Sequence, residues 1–151
     1  MTIDKYLGRP FVAGITDCYS LVRDFYKEEF GIELTNYARY DGWWNDGLNL
    51  YVDNFKKEGF YVVDDSEEFL YGDLFLIALN SPVPCHAAIY VGDNKVLHHV
   101  QNRLSKIDVY KGLWRNFTLL RIRHNSRRGM KPERKEYDFG RTPKKTDTFS
   151  I

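Results

Sequence analysis

Residues 16–31 read Thr-Asp-Cys-Tyr-Ser-Leu-Val-Arg-Asp-Phe-Tyr-Lys-Glu-Glu-Phe-Gly, and the fold turns on how this stretch is read. Apolar side chains at 18, 21, 22 and 25 recur at the helical period. Thr16 or Asp17 can cap the first turn with a side-chain oxygen, and Gly31 follows the last turn. The pattern predicts a helix over 16–30 with Cys18 in its first turn.

Working outward, Trp43, Trp44, Leu48, Leu50, Tyr51 and Phe55 suggest a loop and then a second helix ending at Gly59. Beyond Gly72-Asp73 the texture changes to short apolar runs at 74–79, 87–91, 95–100 and 118–123. They read as strands of an antiparallel sheet, separated by Asn80-Ser81-Pro82, by Gly92-Asp93-Asn94 and by a long connection through 101–117. A helix followed by a run of strands is the α+β pattern.

A chain of 151 residues suits one core, and we assign residues 1–124 to a single domain. Residues 125–151 carry eight Lys or Arg and four Asp or Glu, with Pro132 and Pro143 and almost no aliphatic side chains. This basic, Pro-containing C-terminal tail is expected to lie outside the core and to act as a docking arm. The formal net charge of +1 points to no nucleic-acid partner. Residues 1–10 lack the basic flank and apolar run of a secretory signal, and no stretch reaches the roughly 18 apolar residues of a membrane span. The expectation is a chain made in the cytoplasm.

Two cysteines, Cys18 and Cys85, are too few for a disulfide scaffold, which leaves reactivity as a reason for at least one of them. A thiol is nucleophilic as thiolate, and the unpaired N–H groups and dipole of a helix N-terminus favour that form. Cys18 occupies such a place, where the same N–H groups can also stabilise an oxyanion. Three of the four histidines, His86, His98 and His99, fall on two strands of one hairpin, and a cysteine nucleophile needs a base and a group to orient the base. A metal site of Cys18, Cys85, His86 and His98 is the chemical alternative. It is disfavoured because strand neighbours such as Cys85 and His86 point to opposite faces and no CxxC or HxxxH pair is present. No metal or cofactor is therefore expected, and Cys85 reads as a buried hydrophobe facing away from His86.

Strand geometry leaves two candidates for the orienting residue. A two-residue turn at Asp93-Asn94 would place His99 on the face of His86, whereas a three-residue connection, Gly92-Asp93-Asn94, would place His98 there, opposite Ala88.

Several segments together resemble the NlpC-type cell-wall cysteine peptidases. They are Gly8-Arg9-Pro10-Phe11, Gly14, Asp17-Cys18-Tyr19-Ser20-Leu21-Val22, Gly72-Asp73, His86-Ala87-Ala88-Ile89-Tyr90-Val91-Gly92-Asp93 and Leu97-His98, which cover roughly residues 6–123 in the family's order. The resemblance implies a papain-like fold with the cysteine helix packed on an antiparallel sheet. It implies hydrolysis of an amide bond in peptidoglycan stem peptides, with Cys18 as nucleophile, His86 as base and then acid, and His98 as the orienting residue. It thereby selects the three-residue connection. One position departs: the family commonly has a tyrosine, whose hydroxyl helps bind the oxyanion, where this chain has Phe11. Tyr6 and Tyr19 are the candidate replacements.

Cys-Tyr-Ser-Leu-Val-Arg-Asp-Phe-Tyr (18–26), Val-Pro-Cys-His-Ala-Ala-Ile-Tyr (83–90), His98-His99 and Arg103-Leu104-Ser105 further resemble the tail-tip assembly proteins of long-tailed phages. That likeness implies assembly into a virion tail tip in the host cytoplasm, with other tail-tip proteins and peptidoglycan stem peptides as partners. A structural tail subunit with a weak or inactive peptidase fold is the alternative, and a cytoplasmic amidase or acyltransferase is a third reading.

Overall fold

In a computed structural model, residues 3–132 are described. Helix α1 spans Cys18–Phe30, as its periodicity predicts. Asp17, in extended backbone, is the N-cap and accepts from the Ser20 N–H, while Gly31, in the left-handed region at φ 68°, returns its N–H to the Lys27 and Tyr26 carbonyls. The stripe Leu21, Val22, Phe25 and Tyr26 is buried.

Six strands form one sheet: β1 Phe60–Val62, β2 Leu74–Ile77, β3 His86–Tyr90, β4 Lys95–His98, β5 Lys106–Val109 and β6 Thr118–His124. Their order is β1-β6-β2-β3-β4-β5, and every neighbouring pair is antiparallel. Short helices α2, Leu50–Asn54, and α3, Leu113–Asn116, complete the α+β architecture. The inner strands β2, β3 and β4 and the long β6 lie where apolar runs predicted them. Edge strand β5 falls in the segment expected to be a connection and edge strand β1 in a stretch without a strand signal, because a strand paired on one side with half-exposed side chains needs no continuous apolar run.

The sheet is buried on both faces. Leu74, Leu76, Ala87, Ile89, Leu97 and Ile122 meet α1 through Leu21, Val22, Phe25 and Tyr26. On the other face Phe75, Ile77, Ala88, Val96 and Tyr110 form a smaller core, flanked by Phe69 and Trp114, with the Phe75 and Tyr110 rings stacked at 4.1 Å. Alternation along β3 thus gives Ala87 and Ile89 to the helix side and His86, Ala88 and Tyr90 to the other.

The β3–β4 connection has three residues. Ile89 pairs with Leu97 and Tyr90 with Val96, and the Val91 N–H donates to the Lys95 carbonyl. Gly92, Asp93 and Asn94 between them all adopt positive φ, at 94°, 53° and 56°. Continued along the strands, this register sets His98 opposite Ala88 and diagonal to His86.

At the entry to β2, Asp73 is fully buried and accepts two bonds from Arg123 of β6, at 2.8 and 2.9 Å, and a third from the Leu70 N–H. Gly72 before it has φ 94°, and a Cβ there would come within 2.8 Å of the Phe30 ring, so this turn closes against α1 only with glycine. Past the domain limit read at residue 124, Arg127 still lies over the Phe30 ring at 4.3 Å and Arg128 over Tyr61 at 3.6 Å. Most of the expected docking arm, residues 133–151, lies outside the described residues.

Removing one partner of a buried ion pair leaves the other charge uncompensated and costs about 3–5 kcal/mol. Asp73→Ala is expected to destabilise the domain by about that amount, read as a lower urea midpoint at unchanged slope. A loss under about 1 kcal/mol would contradict this role.

Candidate active site

The N-cap that starts α1 also positions its thiol. The Asp17 carboxylate is gripped by Arg39, with Nε on Oδ2 at 2.9 Å and Nη2 on Oδ1 at 3.0 Å, and also accepts from the Gly14 N–H. Both side chains of this pair are buried. Gly14, at φ 78°, lets the Arg39 carbonyl approach so closely that a Cβ would sit 2.5 Å from it. The first turn of α1 is thereby fixed over the start of β3, where Cys18 Sγ lies 3.9 Å from the Cys85 carbonyl oxygen.

Cys18 and His86 line one cleft of about 390 Å³, together with Phe11, Trp43, Trp44 and His99. His86 Nε2 is 2.8 Å from His98 Nδ1, and His98 Nε2 is 2.8 Å from Asp108 Oδ2. Trp114 covers the pair, its ring edge-on to His98 at 4.7 Å. His99 leaves the strand for the other side: its Nε2–H donates to the Arg103 carbonyl and its ring meets Phe11 edge to face at 5.2 Å. The fold therefore sets Cys18 and His86 on one cleft with His98 bonded behind His86, while His99 lines the same cleft but bonds the Arg103 carbonyl instead of His86. Cys85 is buried with its sulfur against the Leu79 backbone.

The electrostatics differ from those expected of a bare helix N-terminus. Burial pushes the Cys18 thiol up to about 11, and the neighbouring Asp17 charge adds to the rise, against opposing bonds from Tyr51 and the Ala87 N–H. Burial also drives His86 well below its ordinary range, with the charges of His98 and His99 acting in the same sense. His98 is lowered by burial although Asp108 works against it. Burial thus works against both the thiolate and the imidazolium, which favours proton removal from sulfur during attack over a standing thiolate.

Three contributors were not legible in the sequence. The Tyr51 hydroxyl of α2 lies 3.0 Å from Cys18 Sγ and is held protonated by burial and by the thiol beside it. Tyr6 and Tyr19, the expected substitutes for the hydroxyl missing at Phe11, are committed elsewhere: Tyr6 donates to Glu29 at 2.9 Å and Tyr19 to the Thr35 carbonyl at 2.6 Å. Arg39 and Asp108 complete the set. Only Asp108 left a trace, in the alternation of Lys106-Ile107-Asp108-Val109.

The sequence model of the NlpC/P60 family matches residues 8–123. The chain is 45% identical over 119 residues to the tail tip assembly protein K of Escherichia phage lambda, covering 79% of this chain and 59% of that protein. It is 34% identical over 134 residues to the tail tip assembly protein K of Escherichia phage N15, covering 85% and 53%. The aligned region spans little more than half the length of these relatives.

All four histidines titrate below their ordinary range in the fold, burial being the first cause in each. The unfolded chain binds those protons near pH 6.5, so stability is fully present above that pH and falls as pH drops below it. Urea unfolding is expected to show a loss beginning near pH 6.5, and stability flat from pH 7.5 to 5 would contradict this. Alkylation of Cys18 in the free protein is expected to accelerate with pH well into the alkaline range, whereas a plateau near neutrality would reveal a preformed thiolate.

Proposed function

The chain belongs to the NlpC/P60 family, and from that premise we propose that it is a cysteine peptidase of a phage tail tip that hydrolyses an amide bond of peptidoglycan stem peptides. The observation that carries the proposal is that Cys18 shares one cleft with a histidine whose Nε2 is held by a second, buried histidine. With Nε2 of His86 engaged by His98, Nδ1 is the nitrogen left to receive the thiol proton as Sγ attacks the carbonyl carbon. The oxyanion that forms would meet the N–H groups of the first turn of α1 and the Tyr51 hydroxyl. Collapse of that intermediate expels the amine, which takes the proton back from His86. Water deprotonated by the same nitrogen then hydrolyses the thioester.

A cleft of this volume admits a short peptide, and the Trp43 and Trp44 rings give it apolar walls. The two relatives are named for tail tip assembly, which supports a place for this chain in the virion tail, in contact with other tail proteins, with residues 125–151 as its docking arm. Among the described residues no helix is long and apolar enough to cross a membrane. A second reading, a structural tail subunit without turnover, is favoured by Phe11, which carries no hydroxyl into the cleft.

Incubating the protein with purified sacculi and mass-analysing the soluble products separates the two. The peptidase is expected to release muropeptides cut at one type of bond. Cys18→Ala should abolish the release, His98→Ala should lower turnover by about 10²–10⁴-fold, and His99→Ala should chiefly lower stability. Intact sacculi after exposure to the wild-type protein would favour the structural reading.

A further inference from the structure

The geometry points to Asp108 as a positioning residue: acting through His98, it fixes which nitrogen of His86 carries the proton. Strand β5 pairs with β4 so that Lys106 opposes His98, and Asp108, two residues on, reaches His98 diagonally across the same face. Its Oδ2 lies 2.8 Å from His98 Nε2, and Lys106 Nζ is 3.5 Å from the same oxygen.

A carboxylate can only accept, so His98 Nε2 must carry a hydrogen. In the neutral ring His98 Nδ1 is then a bare acceptor. The 2.8 Å contact between that atom and His86 Nε2 requires one hydrogen, which must come from His86. A neutral His86 protonated at Nε2 has a lone pair at Nδ1, the only form in which that nitrogen can take a proton from Cys18. When it does so, the His86 imidazolium still donates from Nε2 to His98, so no hydrogen bond in the chain has to be remade. Without the carboxylate, His98 is free to donate from Nδ1 instead, which would leave the proton of His86 on Nδ1, where the base is needed.

This inference rests on the peptidase reading for its purpose, but its first observable needs no substrate. Long-range ¹H–¹⁵N correlation on ¹⁵N-labelled full-length protein near pH 7.5 distinguishes the two tautomers of each ring. Wild type is expected to show both His86 and His98 protonated at Nε2, and a His86 protonated at Nδ1 overturns the inference even if no variant folds. Asp108→Asn and Asp108→Ala should introduce the Nδ1–H form of His86 and lower kcat at least tenfold with little change in KM, while Asp108→Glu restores part of both. Variants that keep the wild-type tautomers, or that change them without loss of kcat, overturn it. If wild type leaves sacculi intact, the peptidase reading falls, and the tautomers together with the alkylation rate of Cys18 still decide for or against Asp108.

Discussion

The register of one hairpin holds the site together. Gly92, Asp93 and Asn94 close β3 onto β4 through three residues of positive φ, and this odd count puts His98 on the face of His86. A slip of one residue would reverse the faces. His99 would then turn toward His86, His98 toward the helix side, and Asp108 would lose the ring it now contacts. Asp93 and Asn94 suit the task because Asx residues tolerate the left-handed region better than others. The connection is supported from outside as well, since the Asn94 carbonyl accepts the Tyr110 N–H and the Asn94 N–H donates to the Tyr90 hydroxyl.

Around that hairpin the site balances opposing effects. A helix N-terminus favours a thiolate, yet here the cap that starts the helix is itself an anion beside the thiol. Arg39 neutralises Asp17 and makes the buried cap tolerable, and desolvation of the thiol outweighs the lowering bonds from Tyr51 and the Ala87 N–H. The consequence is a thiol whose surroundings favour its protonated form.

Most of the fold was visible in the sequence where burial writes a period. Helix α1 announced itself through residues 18, 21, 22 and 25 and through its caps, and the inner strands through their apolar runs. The edge strands β1 and β5 were not visible, because pairing on one side leaves little compositional mark. Asp108 shared their fate: its importance exists only once β5 is paired with β4. Cys18, His86 and His98 stand as candidates through the combination of a helix-start cysteine with a histidine hairpin, and family resemblance chooses between His98 and His99. Tyr51 and Arg39 reach the site across gaps of 33 and 22 residues, a proximity that no local pattern encodes.

The claim on which the account stands is that Cys18 forms a covalent acyl intermediate with peptidoglycan stem peptides. Rapid acid quenching of the protein with soluble stem-peptide fragments, followed by intact-protein and peptide mass spectrometry, tests it directly. The account predicts a transient, hydroxylamine-labile acyl adduct on Cys18 that is absent from Cys18→Ala and accumulates when deacylation is slowed. Peptide cleavage without any adduct, or an adduct on Cys85 in place of Cys18, would contradict it.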